Sequence, residues 1–214
     1  MFQFIHEMLA IISPSKTQDF SPCDINSFTQ TRQLDYTQKL VNILKNKTQS
    51  QISKLMSLSE KLSKLNFDRF QAFKTPFSLD NAKQALLAFK GDVYNGINAS
   101  SLSVKDLDFA QKNVRMLSGL YGVLRPLDLI QPYRLEMGTK LSNAQGNNLY
   151  DYWGSGISEI LNEDEEELIV NLASNEYFKA IDKKILKAQV LDIVFKEKKN
   201  DKYKIIGIYA KRAR

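Results

Sequence analysis

The sequence predicts a single-domain α+β fold in which a mixed sheet packs with helices. Three observations carry that expectation. Apolar runs bounded by turn residues, "MLAII" at Met8 to Ile12 and "LIVNLA" from Leu168, read as buried strands near the two ends of the chain. Between them, apolar residues recur at helical spacing. No repeat period, low-complexity tract or Pro/Gly/Ser-rich linker divides the 214 residues, a length at which folding buries roughly 70% of the surface the unfolded chain exposes.

The elements follow in order. After "MLAII" comes the loop "SPSKT", and from Gln33 to Asn46 the apolar Leu34, Leu40, Val41 and Leu44 mark a helix. Thr48 and Ser57 begin two more helical segments, Ser57 forming a capping box with Glu60. Asp80 precedes "NAKQALLAF", a predicted helix with Gly91 just past its end, and "KGDVYNGIN" follows as a loop. Ser103 and Asp106 open "SVKDLDFAQKNVRML", a helix expected to run to Leu117. Then come a "YRLEM" strand, a helix around "NLYDYWGSGISEIL", and the acidic run Glu163 to Glu167, which reads as a solvated turn rather than a metal site. "SNEYFKAI" reads as a short helix capped by Ser174, and "AQVLDIVFKE" and "KYKIIGIYAKR" as strands joined across "KKND".

Composition narrows the function. With 43% hydrophobic and 25% charged residues and no apolar run near the ~20 residues of a membrane span, the chain reads as a soluble protein. The amino terminus carries Glu7 and lacks a basic leader and a small-residue cleavage site, so a cytoplasmic location is expected. Cys23 is the single cysteine and His6 the single histidine. That inventory argues against a disulfide, a zinc or haem centre and a Ser-His-Asp or Cys-His site, so no metal, cofactor or catalytic residue is assigned. His6, in an expected terminal strand, makes a poor base. The net charge of +6 favours an anionic partner, nucleic acid being the commonest.

The stretch "RMLSGLYGVLRPLDLIQPYRLEMG", Arg115 to Gly138, is the most unusual. Pro126 is favoured at a first helical position, so the segment predicts a helix, a glycine turn and a second helix: a helix-hairpin-helix outline. Gly119 and Gly122 would let the backbone approach a phosphate flanked by Arg115, Arg125 and Arg134. The same residues fit a plain turn whose Leu120, Tyr121, Val123 and Leu124 are core, and the glycines are spaced by three residues where the usual hairpin signature has two. Lys90 and Gly91 in "AFKGDVYNG" form a second candidate hairpin, with Gly91 as an ordinary helix C-cap the competing reading. Ser13, Ser15, Lys16 and Thr17 follow a strand, where α/β proteins often bind ligands, but the loop lacks the glycines of a nucleotide-hydrolysing phosphate loop. At the carboxyl end Lys202, Lys204, Lys211, Arg212 and Arg214 alternate with Tyr203 and Tyr209, a pattern that serves phosphate and base contacts or protects a strand edge. Carboxylates such as Asp92, Asp128 and Glu136 leave acid-base chemistry open without specifying it.

The strings "ISPSKTQDF", "ALLAFKGDVYNG", "DFAQKNVRMLSGLYGVLRPLDLIQPYRLEMG", "LYDYWG", "VNLASNEYF" and "YAKRAR", taken in order, resemble the YaaA peroxide-resistance family from about Met8 to Arg214. The resemblance implies a single domain over residues 1–214, with Met1 to Glu7 an extension ahead of the family's usual start and a family carboxyl-terminal helix and tail missing beyond Arg214. It implies a cytoplasmic protein that aids survival of hydrogen peroxide by limiting unincorporated iron and oxidative DNA damage. A basic cleft beside a helix-hairpin-helix element would bind duplex, distorted or partly unpaired DNA. Lys16, Lys90, Arg115, Arg125 and Arg134 lie within the matching strings and are the cleft candidates; Gly91, Gly119, Gly122, Lys211 and Arg212 complete the expected DNA-binding set. With one cysteine there is no intramolecular resolving partner, so the protection reads as indirect rather than peroxidase chemistry. An enzyme acting on nucleic acid or a small phosphorylated ligand in the same cleft, or an iron-binding protein with all-oxygen ligands, are the competing functions.

Overall fold

The computed structural model describes residues 8–199 and 201–213; the expected extension Met1 to Glu7 with His6, and Asn200 and Arg214, lie outside the described residues. Strands run β1 (Met8–Ile12), β2 (Thr17–Gln18), β3 (Lys83–Gln84), β4 (Phe89–Lys90), β5 (Val114–Ser118), β6 (Gly122–Leu124), β7 (Leu129–Ile130), β8 (Leu168–Asn171), β9 (Gln189–Asp192), β10 (Glu197–Lys199) and β11 (Lys202–Lys204). Helices run α1 (Leu34–Lys45), α2 (Gln49–Met56), α3 (Glu60–Ala72), α4 (Ala85–Ala88), α5 (Asp92–Ile97), α6 (Val104–Asn113), α7 (Leu149–Trp153), α8 (Gly156–Asn162), α9 (Asn175–Phe178) and α10 (Gly207–Ala213). The fold is α+β with a mixed sheet, as expected.

Five strands form the main sheet in the order β6-β5-β1-β8-β9. β1 lies at its centre, parallel to β5 with Ala10 opposite Val114 and parallel to β8 with Ala10 opposite Val170. β9 continues the parallel set, and β6 returns antiparallel at the edge. Paired on both sides, β1 buries Leu9 and Ile11 fully on one face and Ile12 on the other, while Met8 at its start stays 45% exposed.

α1 buries Leu40, Val41 and Leu44 and carries Asp35 in its first turn and Lys45 in its last. Thr48 closes a capping box with Gln51 at the start of α2. The next cap lies two residues beyond the expected one. Ser57 ends α2 in the left-handed region at φ 52°, and Ser59 caps α3 by accepting from Leu62 N.

The region after α6 departs most from expectation. α6 opens on the Ser103–Asp106 capping box but stops at Asn113, and Val114 to Ser118 form β5 instead of another helical turn. The expected helix-hairpin-helix is a strand, a tight turn at Gly119 to Tyr121 and the antiparallel strand β6. The cause is tertiary: a short apolar run fits either period, and pairing with β1 buries Met116 and Leu117 completely. Pro126 starts no helix. It lies in a turn where Asp128 accepts from Arg125 N at 2.8 Å, and the chain continues into β7.

Four smaller differences follow. "NAKQALLAF" folds as β3, the single turn α4 and β4, because β3 and β4 pair with β7 and β2. The expected "YRLEM" strand is irregular chain, and the helix around Trp153 breaks at Gly154 into α7 and α8. "KYKIIGIYAKR" keeps its strand over β11, paired with β10, then turns into α10, so Lys211 and Arg212 stand on a helix.

Candidate functional site

The chain leaving β1 next enters the sheet at β5, on one side of β1, whereas the chain leaving β8 next enters it at β9, on the other. Between the carboxyl ends of β1 and β8 the connections therefore diverge, the position at which open sheets leave a crevice. Ser13, directly after β1, spans it. Its hydroxyl accepts from Ser174 N at 2.8 Å and lies 3.3 Å from the Ser174 hydroxyl. Its carbonyl accepts from the Tyr94 hydroxyl at 2.9 Å.

A third segment, Tyr133 to Gly138, is pinned beside this crevice. Tyr133 N donates to Gln18 Oε1 at 3.1 Å, and Gly138 N donates to Glu176 Oε1 at 2.9 Å. Gly119 makes the approach possible: a Cβ there would run into the Leu135 carbonyl. On this segment Glu136 receives two cations, Lys16 Nζ on Oε2 at 2.7 Å and Arg134 Nη2 on Oε1 at 3.0 Å. Burial pushes the Glu136 carboxyl up, but its bonds to Lys16 and Arg134 outweigh burial and hold it below its ordinary value. It is an ionised anchor and a weak base.

Lys90 stands opposite Thr17 in the β2–β4 pair, 3.9 Å from Asp19, and Gly91 lies against the Ser15 hydroxyl. Gly91 precedes α5 rather than capping the end of a helix. Four expected residues, Lys16, Lys90, Gly91 and Arg134, thus meet at one edge of the sheet. Lys211 and Arg212 are exposed on α10, which packs against α5, the helix that follows Gly91. Beneath the cluster Tyr94, Tyr133 and Tyr177 are buried, and burial raises all three phenols, so they form a neutral floor.

Arg115 and Arg125 stand elsewhere. Arg115 enters β5 at its amino end, with a side chain 6% exposed, gripping Asp164 through Nε at 2.8 Å and Nη2 at 2.9 Å. Its Nη1 donates to the carbonyls of Gln111, Lys112 and Val114 and so closes the end of α6. Arg125 is bound to the fully buried Asp128 and to the Gln30 carbonyl. Together with Gln111 and Asp164 they line a cavity of about 390 Å³ at the opposite edge of the sheet from Arg134. The three arginines therefore do not frame one anion. Gly122, at φ +70°, faces the Gln33 amide and the Trp153 ring, and Leu120, Tyr121, Val123 and Leu124 are fully buried. The hairpin is core.

Sequence reasoning missed Ser174, Glu176 and Asp164. Ser174 carried a signal, since it follows the run "LIVNLA" as Ser13 follows "MLAII". Asp164 carried none within a run of five acidic residues, yet it pairs with both Arg115 and Arg32. Among the described residues no three His, Cys, Asp or Glu side chains are placed to hold a metal ion. Among them, too, no helix is long and apolar enough to cross a membrane.

A parallel-centred sheet packed with helices, with Lys16, Lys90, Arg134 and Glu136 beside the crevice at its switch point, defines an α+β protein with its more exposed polar cluster at the carboxyl edge of the sheet. Comparison with known proteins gives the family. The profile described as "Peroxide stress protein YaaA" matches residues 8–214, and the chain belongs to that family. It is also 56% identical over 209 residues to a UPF0246 protein of Acaryochloris marina (strain MBIC 11017), covering 97% of this chain and 83% of that protein.

Proposed function

We propose that this peroxide stress protein acts in the cytoplasm by binding duplex or distorted DNA, and that its protection is linked to lower free intracellular iron. The observation that carries the DNA-binding reading is the convergence of Lys16, Lys90 and Arg134 at the carboxyl edge of the sheet, in a chain of net charge +6. Lys16 is 59% and Lys90 44% exposed, so both reach a phosphate backbone without unfolding anything. Lys211 and Arg212 extend the basic rim along α10. Arg115 and Arg125 are committed to Asp164 and Asp128 and belong to the scaffold.

A gel-shift series on duplex, single-stranded and bubbled DNA across salt tests this. Log affinity on duplex is expected to fall by ~0.9 per phosphate neutralised for each log unit of salt. Replacing Lys16, Lys90 and Arg134 together by Ala is expected to weaken binding and flatten that slope. Binding indifferent to salt, or unchanged in the triple variant, overturns the proposal.

A second reading, an enzyme on nucleic acid or a small phosphorylated ligand, draws on Glu136 held ionised beside Lys16, Arg134 and the serines. Asp128 is no candidate in it, being fully buried and bonded to Arg125 and Thr29. Product formation with divalent metal in the same gel-shift samples would favour this reading.

A further inference from the structure

We infer that the crevice between β1 and β8 holds the phosphate of a phosphate monoester, and that the Glu136 carboxylate occupies that position in the free protein. The inference concerns the same site as the DNA-binding reading and names the group it recognises.

Lys16 and Arg134 come from separate segments, yet they converge on one carboxylate and take one oxygen each. Two cations aimed at paired oxygens also fit two oxygens of a phosphate, and charge-assisted bonds of this kind are the strong ones. Glu136 is displaceable. It lies on irregular chain, its side chain is 26% exposed, and these two cations are its charge partners. Polar groups beside the exchange position remain when it leaves: the Ser15 hydroxyl accepts from Thr17 N, which leaves its proton for an incoming oxygen, and Lys90 stands one strand away.

Charge selects the monoester. A diester carries one negative charge and would only replace the one lost with Glu136, whereas a monoester near neutral pH carries close to two. Position agrees with an exchange of anions, because Arg134 is 20% and Glu136 26% exposed while Lys16, at 59%, gives solvent access to the carboxylate they share.

The test measures binding of a 5′-phosphorylated oligonucleotide, the same oligonucleotide ending in a 5′-hydroxyl, and adenosine monophosphate as competitor. The phosphorylated end is expected to bind about tenfold more tightly than the hydroxyl end. Lys16→Ala, at an exposed position, is expected to abolish that preference, and Glu136→Gln to increase it by removing the internal competitor. Competition by adenosine monophosphate identifies free nucleotides as a source of the group; preference for the phosphorylated end without that competition identifies a strand terminus. Equal binding of the two oligonucleotides together with no competition by the nucleotide overturns the inference and leaves general DNA binding intact. Nucleotide binding with no DNA binding would do the reverse.

Discussion

Single residues decide what this molecule can hold. Asp164 receives Arg115 and Arg32 in a nearly dry setting: its side chain is 9% exposed and that of Arg115 6%. Burial pushes its carboxyl up, but the bonds and charge of Arg115, then of Arg32, outweigh burial and hold it down. A carboxyl held below its unfolded value near 3.9 lends stability that is complete above that pH and fades as pH falls through the folded value. Asp164→Asn leaves the buried Arg115 without its anion and Arg32 with only Glu163 at 3.7 Å, and is expected to cost about 3 kcal/mol in chemical denaturation. The variant should also lose less stability than the parent as pH falls below about 4. Gly119→Ala is expected to cost about 1 to 3 kcal/mol, because its methyl meets the Leu135 backbone, and to weaken DNA binding by shifting Glu136. Gly96→Ala is the control: its Cβ enters open space within α5, and the change should be neutral or stabilising. Equal melting temperatures for these two variants would remove Gly119 from the support of the site.

At the scale of elements, the legible parts were those whose signal is local. Capping residues placed the start of α6 at Ser103, and apolar runs placed β1 and β8, because hydroxyl caps and buried strands depend on adjacent residues. Ser103→Ala should therefore cost about 1 kcal/mol and lower the melting temperature by about 2 to 4 °C. No change in melting would mean that α6 is held by packing alone. What local reasoning misassigned was "VRMLSGLYGVL", whose apolar residues satisfy a helix or a strand equally until β1 supplies a partner. The site was half legible for the same reason. Lys16 announced itself by following a strand, and Ser174 carried the same signal, whereas Glu136 belongs to the site only through tertiary contacts that no window of sequence contains. The three arginines were close in sequence, yet the length of β5 separates their functions: two close the scaffold and one faces the crevice.

For the molecule as a whole, charge is distributed by role. Both edges of the sheet pair their cations with carboxylates, but Lys16 and Lys90 at the carboxyl edge are 59% and 44% exposed, whereas Arg115 and Arg125 at the opposite edge are 6% and 27% exposed. On the proposed DNA-binding function, that difference in exposure makes the carboxyl edge the face a phosphate backbone would meet. The central position of β1 has a further consequence, in time rather than in space. Its residues are synthesised about a hundred residues ahead of their partners in β5 and still further ahead of those in β8. The nascent chain must carry an unpaired apolar strand until β5 and β8 have been made, and such strands are prone to wrong pairing and slow to close over long loops. The sheet cannot be completed on both sides of β1 until Leu168 to Asn171 have emerged, so the crevice between β1 and β8 cannot exist before β5 and β6 are already in place to pair.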